Sequence, residues 1–460
     1  MSADVVLAGT AAAINAALEH RAQWAPAGLA ISGVAILGDG EVSHASVFRA
    51  ERLQDFDPAV IAPADLVLAQ PLPNAVVARA LLARAAEAGV KISLIEHGRL
   101  RRLRMDDLVG RALGPVDWSR ISALIEGKRV LITGGGGTIG GELARRVASL
   151  NPARLTLVDS SEYNLHAKKL ELKDAVVVLA DIRSAKSVRR WFEREQPDIV
   201  FHAAALKQVP MVEAFPSEGV LTNVVGLRNV ADAAHEVGAD LIFVSTDKAV
   251  QPSGVMGASK RLGEMYCQAL DRKGGLRAVP VRLGNVLGST GSVSPMFADQ
   301  LANGGPLTVT HADVTRFFLS IPQAADVLLQ GGAISVGSSR ARGAALVVEM
   351  GDALPVIELA RDVVRLEGKR PDVDVPIVIT GMRPGEKLHE MLVAPDEWRE
   401  PDPAPGVMAA ASAAHGLAEL SALMDRLAEL AEAGDEEAIA AELLAAVKPP
   451  SVVEEQAVAS

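Results

Sequence analysis

Short, nearly continuous apolar runs alternate with longer stretches of mixed polarity along most of the chain. From Lys128 the alternation becomes regular. Arg129-Val130-Leu131-Ile132-Thr133, Leu155-Thr156-Leu157-Val158, Val176 to Leu179, Ile199-Val200-Phe201 and Leu241-Ile242-Phe243-Val244-Ser245 each read as a strand, with helical stretches such as Glu142 to Leu150 between them. Apolar strands separated by helices predict a parallel, doubly wound α/β sheet of the Rossmann type. The pattern runs to about residue 290, and a mixed segment, expected to form a smaller substrate-binding region, follows to about 395.

Residues 1–110 predict a separate small Rossmann-like α/β domain. Val5-Val6-Leu7-Ala8, Leu29 to Leu37, Leu66 to Ala69 and Val90 to Ile95 are its strand candidates, with helices through Glu19 and over Asn74 to Ala88. Its first strand ends at Gly9, but Thr10-Ala11-Ala12-Ala13 follows, with alanine where a pyrophosphate needs bare backbone. The domain therefore reads as non-catalytic, structural or regulatory, rather than as a second nucleotide site. Residues 111–127 read as a linker holding Gly114-Pro115 and one short helix, Trp118 to Glu126. Residues 396–460 read as a tail: a breaker-rich linker, Glu400-Pro401-Asp402-Pro403-Ala404-Pro405-Gly406, then two helices and a disordered end.

Composition narrows the function classes. A net charge of -11 and only 3% aromatic residues argue against a nucleic-acid partner, which needs positive charge and stacking surfaces. The single cysteine, Cys267, excludes an intramolecular disulfide and reads as a small packed residue, fitting a reducing cytoplasm. No basic region followed by an apolar run opens the chain, and Trp24 to Gly38, the best membrane candidate, is too short and carries Pro26. His311-Ala312-Asp313 and His389-Glu390 lack metal-ligand spacing and read as structural, so no metal is expected.

The strongest local signal is Thr133-Gly134-Gly135-Gly136-Gly137-Thr138-Ile139-Gly140, bracketed by a strand and a helix. Gly134 would permit the tight turn, Gly137 would let backbone approach a pyrophosphate, and Gly140 would allow close helix packing. Asp159 ends the next strand about 20 residues on, where a carboxylate can bind ribose hydroxyls; this favours NAD over NADP. Asp181-Ile182 and His202-Ala203-Ala204-Ala205 end the third and fourth strands, suited to an adenine edge and to close approach of the dinucleotide.

Together with Leu206-Lys207-Gln208-Val209-Pro210, Asn223, Ser245-Thr246-Asp247-Lys248-Ala249, Arg282-Leu283-Gly284-Asn285-Val286, Thr315-Arg316-Phe317-Phe318 and Arg383-Pro384-Gly385-Glu386-Lys387, these residues resemble the extended short-chain dehydrogenase/reductase superfamily. Within it the likeness is to the nucleotide-sugar 4,6-dehydratases of capsule and O-antigen biosynthesis, over about residues 128–395. Residues 1–110 resemble the soluble region of the long, membrane-anchored branch, so the resemblance implies the cytoplasm or the cytoplasmic part of an inner-membrane protein.

The resemblance implies NAD, a UDP-sugar substrate and a reaction in three parts: oxidation at carbon 4, elimination of water across carbons 5 and 6, and hydride return to carbon 6. It assigns Asp247 as acid for the leaving hydroxyl and Lys248 as base at carbon 5, which requires a carboxyl that holds a proton beside an amine that has lost one, or exchange between them. Thr138, Ile139, Ser160, Asn223, Ser245, Lys260, Leu283 and Asn285 join the expected cofactor contacts. Lys207 and Asn285 are expected in the sugar pocket, Arg316 and Arg383 at the diphosphate and Glu386 at the uridine ribose. One position departs from the ordinary pattern. Met256 stands where a tyrosine usually begins Tyr-x-x-x-Lys, and a thioether cannot act as a base. The same change occurs in the long branch, with retention at carbon 5, and it throws the carbon 4 deprotonation onto Thr246, relaying to Asp247 or to a water. The resulting reading is a UDP-N-acetylglucosamine 4,6-dehydratase; a nucleotide-sugar 4-epimerase and a non-catalytic NAD sensor are the alternatives. A homo-oligomer is expected, with the N-terminal unit and the tail helices as candidate interfaces.

Overall fold

The computed structural model describes residues 4–109, 116–336 and 341–448. It resolves into two compact units that are interleaved along the chain: Met1–Ala112, Thr290–Ser320 and Gly351–Gly381 form the first, and Leu113–Ser289, Ile321–Met350 and Met382–Ser460 the second.

In the first unit a six-stranded sheet runs in the order Val47–Ala50, Ala30–Leu37, Asp4–Gly9, Asp65–Leu68, Ile92–Glu96 and Arg99–Arg102. All neighbours are parallel except the last pair. The two outermost strands escape the sequence reading because an edge strand needs no apolar run, and Arg99–Arg102 carries three arginines. The turn after Gly9 is closed by its own neighbours. Gln70 Oε1 accepts from the Thr10 amide at 2.8 Å, and Thr10 Oγ1 accepts from Ala13 N to cap the helix Ala11–Glu19. Residues 351–381 join this unit through the helix Val356–Leu366, which packs on Ala75–Glu87. The buried Asp362 carboxylate there forms ion pairs with Arg79 at 2.9 Å and Arg365 at 3.1 Å.

The second unit is built on a nine-stranded sheet. Its order is Trp398–Ala404, Val407–Ala411, Ala345–Val348, Ala278–Leu283, Asp240–Thr246, Ile199–His202, Arg129–Thr133, Arg154–Asp159 and Val176–Leu179. Seven strands are parallel, as the doubly wound pattern predicts, and the first two form an antiparallel hairpin on one edge. That hairpin corrects the expectation of a linker at 400–406. The apolar run Val407-Met408-Ala409-Ala410-Ala411 pairs with Ala345–Val348, while Pro403 falls on the outermost strand, where a missing N–H breaks no ladder.

The short helix Trp118–Ile125 packs against Ile321–Ser335 and is part of this unit's core. The tail helices Leu417–Ala433 and Glu436–Ala446 are docked too: Leu420, Met424, Leu427, Ile439 and Leu443 share one core with Met265 and Leu270 of the helix Val255–Lys273. The Gly114-Pro115 linker and the expected disordered end, from 449, lie outside the described residues. Among the described residues no helix is long and apolar enough to cross a membrane.

Candidate functional site

The chain enters the large sheet at Arg129–Thr133, builds outward through Arg154–Asp159 and Val176–Leu179, then crosses back to place Ile199–His202 on the other side of the first strand. The crevice at the carboxyl ends of these two strands is a topological switch point, where open α/β sheets bind ligands. The glycine turn leaves one strand and His202-Ala203-Ala204-Ala205 leaves the other. Gly134 has φ of +66°, and a Cβ there would lie 2.7 Å from the Ala204 amide nitrogen. A Cβ on Gly140 would lie 2.1 Å from the Gly134 carbonyl oxygen, so the helix Thr138–Ala148 begins directly against the turn. Gly137 precedes that helix as its N-cap without a capping side chain, leaving backbone N–H groups of the first turn and the positive end of the helix at the crevice.

Beneath the turn, His202 Nδ1 lies 2.8 Å from the Thr133 hydroxyl, both buried. Burial, helped by the charge of Lys260, pushes the imidazole down to about 3, so His202 is neutral and serves to hold the two strand ends together. Asp159 fixes the turn from the other side. Oδ2 accepts from Gly136 N and Oδ1 from Ser161 N, both at 2.9 Å, and each oxygen retains acceptor capacity for a hydroxyl. Ser160 beside it is exposed. At the third strand end, burial would raise the Asp181 carboxyl, but hydrogen bonds from Arg183 outweigh it and hold the group low. Ile182 turns inward, its side chain filling the space that a Cβ on Gly226 would need.

Asn223, on the π-helical turn Val220–Gly226, donates to the Leu206 carbonyl at 2.9 Å and to Ser259 Oγ at 3.0 Å, while its own oxygen accepts from Leu206 N. The oxygen and one donor bond hold the strap at Leu206, just after Ala203 to Ala205, and the other donor bond ties it to the helix of Ser259. Ser245 Oγ donates to Glu264 at 2.7 Å. Glu264 belongs to a buried set in which Arg282 and Arg261 meet Glu264 and Glu397 at 2.5–3.0 Å. Sequence reasoning singled out Arg282 without these partners, because ion pairs across 18 and 115 residues leave no local pattern.

Three neighbours end the strand Asp240–Thr246. Thr246 Oγ1 donates to Asp247 Oδ1 at 2.9 Å, and Lys248 Nζ donates to the same oxygen at 2.9 Å and to Asn285 Oδ1 at 2.8 Å. The Asp247 side chain is completely buried, and its Oδ2 has no hydrogen-bond partner among the described residues. Lys207, which donates to Ser289 Oγ at 3.1 Å, is kept below the usual lysine range by burial and then by the charge of Lys248. Leu283 is buried at the end of the adjoining strand.

The next helix, Val255–Lys273, carries Met256 and Lys260, both buried. Its first turn is anchored by a residue that sequence reasoning missed: Glu213 accepts from Val255 N and Met256 N, each at 3.0 Å. Lys260 Nζ lies 4.1 Å over the Phe243 ring, and burial pushes its ammonium down to about 8. The segment after Met382 is fixed to the same region, with Ser253 Oγ donating to the Gly385 carbonyl and Lys387 Nζ to the Val250 carbonyl, both at 2.9 Å. Arg383 is exposed there, and Glu386 N donates to its carbonyl. Arg316 falls in the first unit, where it is buried and donates to the Thr315 carbonyl. No group of His, Cys, Asp and Glu among the described residues has the form of a metal site.

A family model described as polysaccharide biosynthesis protein matches residues 130–412. The chain is 38% identical over 328 residues to the Bacillus subtilis protein named "Probable polysaccharide biosynthesis protein EpsC", covering 67% of this chain and 54% of that one. The chain thus spans about half the length of that curated relative. It is 32% identical over 285 residues to the UDP-glucose 4-epimerase of Rickettsia akari, covering 60% and 80% of the two chains. Among solved structures, Pen from Bacillus thuringiensis matches with a TM-score of 0.57 at 29% identity, covering 63% of this chain and 87% of that one.

Proposed function

The chain belongs to the polysaccharide biosynthesis protein family, and from that premise we propose that it is an NAD-dependent UDP-N-acetylglucosamine 4,6-dehydratase. The observation that carries the reading is the buried Asp247, whose one oxygen gathers Thr246 and Lys248 while the other is left without a partner. A buried carboxyl with a free oxygen can hold a proton and give it to a leaving hydroxyl, and the amine beside it can take one from carbon.

NAD fits the crevice at the glycine turn, with Gly134 to Gly140 at the pyrophosphate, Asp159 at the adenosine ribose and Lys260 at the nicotinamide ribose. When bound it supplies a hydride acceptor for carbon 4 and a donor for carbon 6. The protein's residues move the protons. Thr246 takes the proton of the carbon 4 hydroxyl and passes it along its hydrogen bond to Asp247. Once carbon 4 is a ketone, the carbon 5 proton is acidic and Lys248 removes it. Asp247 protonates the departing carbon 6 hydroxyl, which leaves as water. Lys248 finally returns a proton to carbon 5. The protons balance, and the only net loss is one water. Lys207 and Asn285 would contact the sugar, Arg383 the diphosphate and Glu386 the uridine ribose.

Incubation with UDP-N-acetylglucosamine tests the reading by mass spectrometry. The expected product is lighter by one water and carries a ketone. The second reading, a 4-epimerase, has the Rickettsia relative in its favour and gives an isomer of unchanged mass. No turnover of any nucleotide sugar by protein that carries NAD would leave a sensor. The cofactor site has its own test. Gly134→Ala forces a side chain into a left-handed backbone at roughly 1–2 kcal/mol, so NAD affinity should fall about tenfold or more by titration calorimetry. Unchanged affinity would remove the turn from the site.

A further inference from the structure

A carboxylate outside the expected set stands beside the amine to which the carbon 5 proton is assigned. Glu390 has a side chain only 2% exposed, and its Oε1 lies 3.7 Å from Lys248 Nζ. It is held there from the other side, because Lys387 Nζ pairs with Glu390 Oε2 at 2.8 Å and donates to the Val250 carbonyl two residues after Lys248. The charged groups around Lys248 are then Asp247 on its own turn, Glu390 and, behind it, Lys387 from the downstream segment, and Lys207 from the strap after Ile199–His202. Asn285 Oδ1 accepts from the same amine at 2.8 Å as its neutral partner.

From this arrangement we propose that Glu390 is a positioning residue for Lys248: it aims the amine and stabilises the ammonium that forms when Lys248 takes a proton from carbon. The inference rests on the reading of Lys248 as the base. A negative charge at this distance favours the protonated amine. It acts where charge develops, so it should favour the transition state of proton removal more than substrate binding. A lone Glu390 is indistinguishable in sequence from a surface residue, since its meaning comes from Lys387 fixing it across the chain.

The test has one readout that is independent of turnover. Acetic anhydride at constant pH, followed by peptide mass spectrometry, reports how fast Lys248 is acylated, with the exposed Lys186 as internal reference. Glu390→Gln should raise the Lys248 rate about fivefold because the buried ion-pair partner of the amine is gone, and Glu390→Asp should return it to within about twofold of wild type. With UDP-N-acetylglucosamine, Glu390→Gln should lower kcat about tenfold at a KM changed less than about twofold, with recovery in Glu390→Asp. A Lys248 acylation rate unchanged in folded Glu390→Gln overturns the proposal, as does a rise in KM at constant kcat. If wild type removes water from no nucleotide sugar, the dehydratase reading fails while the acylation result still decides the role of Glu390 toward Lys248.

Discussion

Asp247→Asn is expected to slow water loss by about 10²–10⁴-fold, the scale of a lost general acid. The substitution keeps the shape and one carbonyl oxygen, so Thr246 and Lys248 can still donate to it as they do to Oδ1. What disappears is the group that carries the proton to the carbon 6 hydroxyl. NAD content should be unchanged, since no cofactor contact is assigned to this side chain. Rapid-quench analysis should then show the carbon 4 oxidation surviving better than the elimination, with a 4-keto sugar that retains its carbon 6 hydroxyl accumulating. Equal loss of both steps would mean that Asp247 acts mainly through Thr246.

Arg282→Met is expected to destabilise the second unit by about 3–5 kcal/mol, because it strands buried carboxylates without their partner. Arg282 is fully buried and reaches Glu264 and Glu397, and with it gone two buried glutamates share Arg261 alone. The pH dependence follows from Glu264. Burial opposes its ionisation, but the charge and hydrogen bonds of Arg282 outweigh that and push the carboxyl down to about 2 from 4.5. The folded value is the lower one, so the stabilisation is fully present above about pH 4.5 and drains away as pH falls toward 2. Urea midpoints between those limits should fall with acid in the wild type and fall less in Arg282→Met. Equal slopes would show that the network does not govern acid stability.

The parallel core and the glycine turn were legible because both are written locally, in apolar runs and in residues whose backbone must turn tightly, such as Gly134. The hairpin at 398–411 was not, since prolines that forbid a central strand are tolerated on an edge one. Nor was the reach of residues 351–381 into the first unit, which depends on Asp362 meeting Arg79 across the sequence. Within the site, Thr246, Asp247 and Lys248 are adjacent and could be read together. The side chains of Asn223 and Ser245 could be read as residues but not as directions: both turn to protein partners, Leu206 with Ser259 and Glu264. Glu213 and Glu390 carry no motif, and only the fold gives them a place beside Met256 and Lys248.

The central claim is that hydrogen leaves carbon 4 and comes back to carbon 6 within a single turnover while carbon 5 exchanges with solvent. UDP-N-acetylglucosamine deuterated at carbon 4, turned over in ordinary water and read by NMR, tests it directly. The account predicts a 4-keto-6-deoxy product with the deuterium on carbon 6, and in unlabelled substrate run in heavy water a deuterium at carbon 5. Deuterium recovered at carbon 4 of an epimer, or lost from the sugar altogether, would contradict it.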